Sequence, residues 1–293
     1  MNHYYFKFGG ANRFLKQCIN ERNAALSKKD SLPLAIYFGD WKVEDYLKGR
    51  TVNDGKDRDQ IDPFFHAAQT DRANSVFWLF DDLIYALVPQ TAVYNGGMKD
   101  AEFPCPKAVD STVVKIFEKA QLPEAFASIN SFQKYNRKTI VKLENEEAEV
   151  AEWLFTESGH KAKMHITKER RLFFLSPLQF ETLVFLIFHH HRIFCSTYRG
   201  GTLKDVDLNI RGRNQVSVAG VCFHDNAAIQ VKKCDYLSGR PRLRLANGVS
   251  LVHLGDSFPE RRVYGKAWVE ASLTPLSAVD NWLNESLDFF ETS

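Results

Sequence analysis

The sequence predicts a chain of two fold classes in series: an α+β N-terminal region, then an α/β region with a central mixed β-sheet flanked by helices. Three observations carry this reading. Short β-rich runs and polar loops fill roughly the first 135 residues. A strong helical stripe follows at Phe180, Leu183, Val184 and Ile187, spaced i, i+3, i+4, i+7. Strand-like segments then succeed one another toward a closing amphipathic helix at Leu276 to Phe290.

In the first region Pro33 to Phe38 (PLAIYF) reads as a buried strand. Ser75 to Phe80 (SVFWLF) and Leu83 to Val88 (LIYALV) flank Asp81-Asp82, a two-residue polar turn between β-rich runs and therefore a hairpin signal. Lys48 to Asp62 and Asn95 to Lys107 read as loops. Glu146 to Phe155 has helical spacing, and Lys161 to Arg171 is a basic connection. The expected division is a recognition or sensor domain over 1–140, a helical linker over 141–170 and a catalytic domain over 171–293.

That last domain should open at Ser176-Pro177. Serine is a good N-cap, and proline at the first helical position loses only an N–H that would be unpaired anyway. The helix runs to about His190. Strands are expected at Arg192 to Tyr198, Val206 to Ile210, Ala227 to Cys234, Ser250 to Leu254 and Ala267 to Leu273. The stretch from Arg211 to Asn226 is long enough for an extra turn or hairpin.

Composition excludes several classes. With 38 basic and 36 acidic residues the net charge is only +2, so there is no strongly basic coat, although a local groove is compatible with it. Five cysteines, with no CxxC pair, argue against a disulfide framework or a structural zinc site and for a reducing cytoplasm. The longest apolar stretch, near Leu183 to Phe188, is far short of the ~20 residues that span a bilayer, so no membrane partner is expected. The run His189-His190-His191 is a poor metal site, because adjacent helical residues point apart.

The chemistry is expected around Ile229-Gln230-Val231-Lys232. On a strand Gln230 and Lys232 share one face and Ile229 and Val231 the other. In the preceding strand Asp207 alternates with Val206 and Leu208. Pairing of the two strands would set a carboxylate beside an amide and an ammonium. A hard divalent cation wants oxygen ligands, and a lysine beside it can orient a water and stabilise developing negative charge. Glu181, on the helix, could add a second carboxylate. A phosphate-binding rim is read at Arg199, Lys204, Arg211, Arg213 and Lys233.

Leu175-Ser176-Pro177-Leu178-Gln179-Phe180-Glu181-Thr182-Leu183-Val184 closely resembles the opening motif of the Mrr-like restriction endonucleases, L-S-P-x-x-F-E-x-L-V. Val206-Asp207-Leu208 resembles that family's hydrophobic-Asp-hydrophobic strand, and Ile229-Gln230-Val231-Lys232 its Q-x-K variant of the D/E-x-K motif. Order and spacing agree from Leu175 to Cys234, but Leu203-Lys204-Asp205 stands where the family usually shows D-G-G. The resemblance implies a restriction-endonuclease-like core, Mg²⁺ dependence with Mn²⁺ as a substitute, and cleavage of DNA, in the setting of bacterial restriction or anti-phage defence. It makes Asp207, Gln230 and the Val231 main-chain carbonyl metal ligands, Lys232 the catalytic lysine and Glu181 an accessory acid. Double-strand cutting would call for a homodimer, and the first domain would read a DNA feature, an activating ligand or a partner protein. Two other readings stay open: a nuclease fold that binds nucleic acid without cutting, supported by Gln230 in place of an acid, and a nuclease acting on RNA.

Overall fold

The computed structural model describes residues 1–7, 31–36, 43–48, 61–95, 107–131, 138–156, 162–191, 193–197, 206–211, 215–224, 226–233, 245, 249–274 and 276–293. The chain is mixed α/β and divides into two compact units, Met1–Ala162 and Lys163–Ser293. Among the described residues no single helix is long and apolar enough to cross a membrane.

The strands of the first unit are β1 (Asn2–Phe6), β2 (Ser31–Ile36), β3 (Ser75–Phe80), β4 (Leu83–Pro89), β5 (Tyr94–Asn95), β6 (Lys107–Glu118) and β7 (Ile140–Lys142). Its helices include α1 (Val43–Leu47), α2 (Glu124–Ala127) and α3 (Asn145–Thr156). Among the described residues the strand order is β2-β6-β4-β3-β1-β7, with β5 beside β6. β1 and β3 are parallel; the other pairs are antiparallel, including the expected β3–β4 hairpin. The SVFWLF run becomes a central strand buried on both faces, as its unbroken apolar sequence requires. On one face Phe6, Phe64 and Phe77 pack together; on the other Trp78 lies over Phe117 and meets Phe126 of α2 edge-on.

His3 is buried inside this sheet, where an unpaired polar group would be costly. Its Nδ1 accepts the Trp78 indole N–H at 3.1 Å, which leaves Nε2–H to donate to the Glu152 carboxylate of α3 at 2.8 Å. Burial holds the His3 pKa below its ordinary value of 6.5, against the opposing pull of Glu152.

The second unit contains β8 (Met164–Ile166), β9 (Phe194–Thr197), β10 (Leu208–Arg211), β11 (Val216–Val218), β12 (Val221–Phe223), β13 (Ala228–Lys232), β14 (Val249–His253), β15 (Val263–Tyr264) and β16 (Phe290–Thr292). Its helices are α4 (Pro177–His190), α5 (Lys266–Leu273) and α6 (Ser277–Ser286). The main sheet has the order β15-β14-β13-β10-β9 among the described residues. It is mixed: β9, β10 and β13 are antiparallel neighbours, whereas β13, β14 and β15 run parallel. α4 packs against β9 and β13 and buries Phe180, Leu183, Val184, Ile187 and Phe188. Its start is a reciprocal cap, in which Ser176 Oγ accepts the Gln179 N–H at 3.0 Å and the Gln179 side chain accepts the Ser176 N–H at 2.8 Å.

The stretch from Arg211 to Asn226 does hold a hairpin, β11–β12, which turns at Ala219-Gly220 with φ of 44° and 77°. Two consecutive positive φ values are what a tight hairpin turn needs. Two elements depart from the sequence reading. Ala267 to Leu273 is helix, not strand: Trp268, Val269, Ser272 and Leu273 are buried at the i, i+1, i+4, i+5 spacing of a helical face. The closing helix stops at Ser286, and Phe290–Thr292 turns back as a strand parallel to β8. Within the span read as a linker, α3 belongs to the first unit and β8 to the second.

Candidate active site

Asp207 sits one residue before β10, not inside a strand as its alternation with Val206 and Leu208 suggests. Its own N–H donates to the Ile229 carbonyl at 2.8 Å, continuing the contact with β13. Its carboxylate Oδ2 then accepts the Val231 N–H at 2.6 Å, in the place a main-chain carbonyl would take in a regular ladder. A side chain has replaced a backbone acceptor, so the carboxylate is fixed over the edge of β13. Such a charge-assisted bond is worth about 1.5–3 kcal/mol.

Lys232 ends β13, and its Nζ lies 3.6 Å from the same Asp207 oxygen. The two side chains are 33% and 23% exposed, so solvent or a ligand reaches both. At that exposure the ion pair itself is worth about 0–1 kcal/mol, so the bond to the Val231 amide, more than the ion pair, holds the carboxylate in place. Among the described residues the other Asp207 oxygen, Oδ1, has no hydrogen-bond partner. Gln230 is only 5% exposed and stands on the same strand face as Lys232. In a strand the N–H and C=O of one residue point to the same neighbour, so the Val231 carbonyl faces the edge where Asp207 lies.

Asp207, Val231 and Lys232 are thus brought together, with Gln230 just before Val231 on the same strand. Glu181 is half-buried in the second turn of α4, the helix packed on β13. Lys233 follows β13 and is half-buried. The backbone of Arg211 ends β10. Arg199, Lys204 and Arg213 lie outside the described residues, as do Asp205 and Gly200-Gly201.

The donor chemistry suits a small hard cation: the Asp207 carboxylate, the Gln230 amide oxygen and the Val231 carbonyl are all oxygens, and Mg²⁺ is commonly held by one or two carboxylates with water and substrate completing the shell. Among the described residues no group of three or more His, Cys, Asp or Glu is placed to share a metal ion, the His189–His191 run included. A cavity of about 600 Å³ elsewhere in this unit is lined by Lys168, Arg171, Glu270 and Asp280 among others, and by none of the candidate residues. Arg171 there is committed to Asp280 at 2.8 Å.

Sequence reasoning did not single out His253. In the parallel register Lys232 is opposite His253, which is fully buried. Its Nδ1 accepts the Gly255 N–H at 3.2 Å and its Nε2 meets the Asp256 carbonyl at 2.9 Å. The signal was a β14 residue whose partner strand is not legible without the register.

No protein-family model, curated protein or solved structure matches the chain.

Proposed function

We propose that the second unit is a metal-dependent nuclease of restriction-endonuclease-like fold that hydrolyses phosphodiester bonds in DNA. The observation that carries the reading is the Asp207 carboxylate, held at 2.6 Å by the Val231 amide and 3.6 Å from the Lys232 ammonium. The mixed sheet supports it, because antiparallel β10 and β13 set the acid beside the Q-x-K strand that the motif reading requires.

Mg²⁺ would be held by Asp207, by the Gln230 side-chain oxygen and by the Val231 carbonyl. When bound it would acidify a water and neutralise phosphoryl charge. The chain's own residues do the rest. Lys232 carries three donors on a flexible stem, enough to hold the attacking water and one phosphoryl oxygen at once. As the water oxygen bonds to phosphorus and the bond to the leaving sugar oxygen breaks, that ammonium meets the charge that develops. Asp207 keeps the ammonium in place before substrate arrives. Glu181 on α4 would supply a further carboxylate, and the first unit would act as the reader that directs cutting, in restriction or defence.

The test is cleavage of plasmid DNA and of RNA in Mg²⁺ or Mn²⁺ by the wild type, Asp207→Asn and Lys232→Met. Metal-dependent cutting of DNA that each substitution lowers by about 10²-fold or more is expected. DNA binding without cutting in any metal would instead favour the second reading, a nuclease fold that binds only. Gln230 in place of an acid is the observation on that side.

A further inference from the structure

The sheet order sets Lys232 between two neighbours. β13 lies between β10 and β14, so Lys232 has the Asp207 carboxylate on its β10 side and His253, its parallel register partner, on its β14 side. Register partners share a sheet face, and neighbouring strands are about 4.8 Å apart, so the imidazole stands alongside the lysine stem. Two residues earlier on the same face Leu251 stands beside Gln230. Leu251 and His253 are both 0% exposed.

So deeply buried, His253 has no surface to offer a substrate, and any effect it has on the site passes through its neighbours. A buried imidazole needs polar partners. It finds them in the main chain just ahead, at Gly255 and Asp256. That segment is itself anchored. The Gly255 carbonyl accepts the Lys266 N–H at 3.1 Å, and Ser257 Oγ accepts the Gly265 N–H at 2.8 Å. Gly265 comes so close that a Cβ there would meet the Gly255 carbonyl oxygen at 2.0 Å. The ring is thus held at both nitrogens by main chain tied to the start of α5. Lys232 is the opposite case, a flexible four-carbon stem whose side chain is 33% exposed. Its ion pair with Asp207, at 3.6 Å and open to solvent, is too weak to fix the stem by itself.

We propose that His253 is a positioning residue for Lys232, a role that rests on the nuclease function above: its locked ring closes the β14 side of the lysine stem and keeps the ammonium on the Asp207 side, where the attacking water is to be oriented. Lysine stems lie well along an apolar wall while the charged head stays in water. A side chain that acts on a reacting atom has to be held by the packing of its neighbours, because a misplacement of about 1 Å costs up to about 10²-fold in rate. Asp207 acts on the tip of Lys232 and His253 on its stem. Neither the sequence motif nor the exposed surface of the site contains the second half of that arrangement.

The test uses the full chain. His253→Asn and His253→Gln remove the ring but keep an amide for the main chain at Gly255 and Asp256; His253→Phe keeps a ring and loses those bonds. Duplex affinity is read in Ca²⁺, single-turnover cleavage in Mg²⁺, and the order of Lys232 from its ¹³Cε–¹⁵Nζ signal, assigned by its absence in Lys232→Met. Both ringless variants should lower kcat about tenfold or more while duplex affinity changes less than about twofold, and the Lys232 signal should collapse toward that of a free lysine. His253→Phe should have the lower thermal midpoint yet keep most of kcat and the ordered signal. In a Lys232→Met background His253→Asn should cost nothing further, because both act through one side chain. A ring that only caps the strand end would give the reverse: full kcat in the ringless variants that fold, or losses that add to those of Lys232→Met. Either result overturns the role of His253 and leaves the nuclease reading standing. A wild type that neither binds nor cuts DNA overturns the nuclease reading and this role with it.

Discussion

Asp207 does two jobs, and they can be separated. It caps the Val231 N–H at 2.6 Å and it presents a carboxylate to the Lys232 side. Asparagine keeps an acceptor of the same reach and loses the charge; alanine loses both. Asp207→Ala should therefore cost about 1–3 kcal/mol in urea unfolding, because a β13 amide is left unpaired. Asp207→Asn should cost less than half of that yet be as inactive as alanine in metal-dependent cleavage. An Asp207→Asn variant that cuts like the wild type would reduce Asp207 to a structural cap. A second single-residue effect belongs to His3. Its folded-state pKa lies below 6.5, so in falling pH the unfolded chain takes up a proton first. The stabilisation is complete above that value and is lost progressively below it. His3→Gln keeps an amide that can accept from Trp78 and donate to Glu152, but removes the titration. Between about pH 6.5 and 5 its urea midpoint should fall less steeply than that of the wild type. Parallel slopes would mean that His3 is not the group responsible.

At the scale of elements, legibility followed periodicity. The α4 stripe could be read because burial on one face imposes a period that the sequence carries, and the SVFWLF strand because burial on both faces demands an unbroken apolar run. Ala267 to Leu273 misled because AWVEASL offers both an apolar run and a helical face, and the choice is made by the Tyr264–Trp268–Phe223 cluster and by the Trp268 indole, which donates to the Val218 carbonyl at 3.2 Å. Phe223 and Val218 are distant in sequence, so no local window contains them. The same reasoning explains the site. Asp207, Gln230 and Lys232 were legible as a motif, but the use of the Asp207 side chain as a ladder acceptor depends on register, and so does the placement of His253. α4 itself rests on packing more than on its cap. Leu183→Ala, at a fully buried position, should cost about 2–5 kcal/mol. Ser176→Ala should cost about 0.5–2 kcal/mol, through the lost reciprocal cap. A larger loss from Ser176→Ala than from Leu183→Ala, read by chemical denaturation, would reverse that ranking.

For the whole molecule, the consequence lies in where the second unit begins. The motif starts at Leu175, and a catalytic domain drawn from the motif starts at 171. The unit drawn from packing starts at Lys163. The difference is β8, which pairs in parallel with β16 through Met164–Phe290, His165–Glu291 and Ile166–Thr292. Ile166 is buried, and the Ser293 N–H reaches its carbonyl at 3.1 Å. Removing 163–170 would leave β16 as a three-residue strand with no described neighbour and would take the register partner Met164 from Phe290, whose contact with Phe174 at 5.0 Å remains. A lone short strand has no ladder to hold it. Fragment 163–293 should therefore unfold in one cooperative transition and cut DNA in Mg²⁺ without the first unit, if that unit only directs cutting. Fragment 171–293 should melt several degrees lower, since 1 kcal/mol moves the midpoint of a domain this size by about 4 °C. Equal melting of the two fragments would show that the β8–β16 pair contributes nothing, and a folded but inactive 163–293 would make the first unit part of the catalytic machinery instead of its reader.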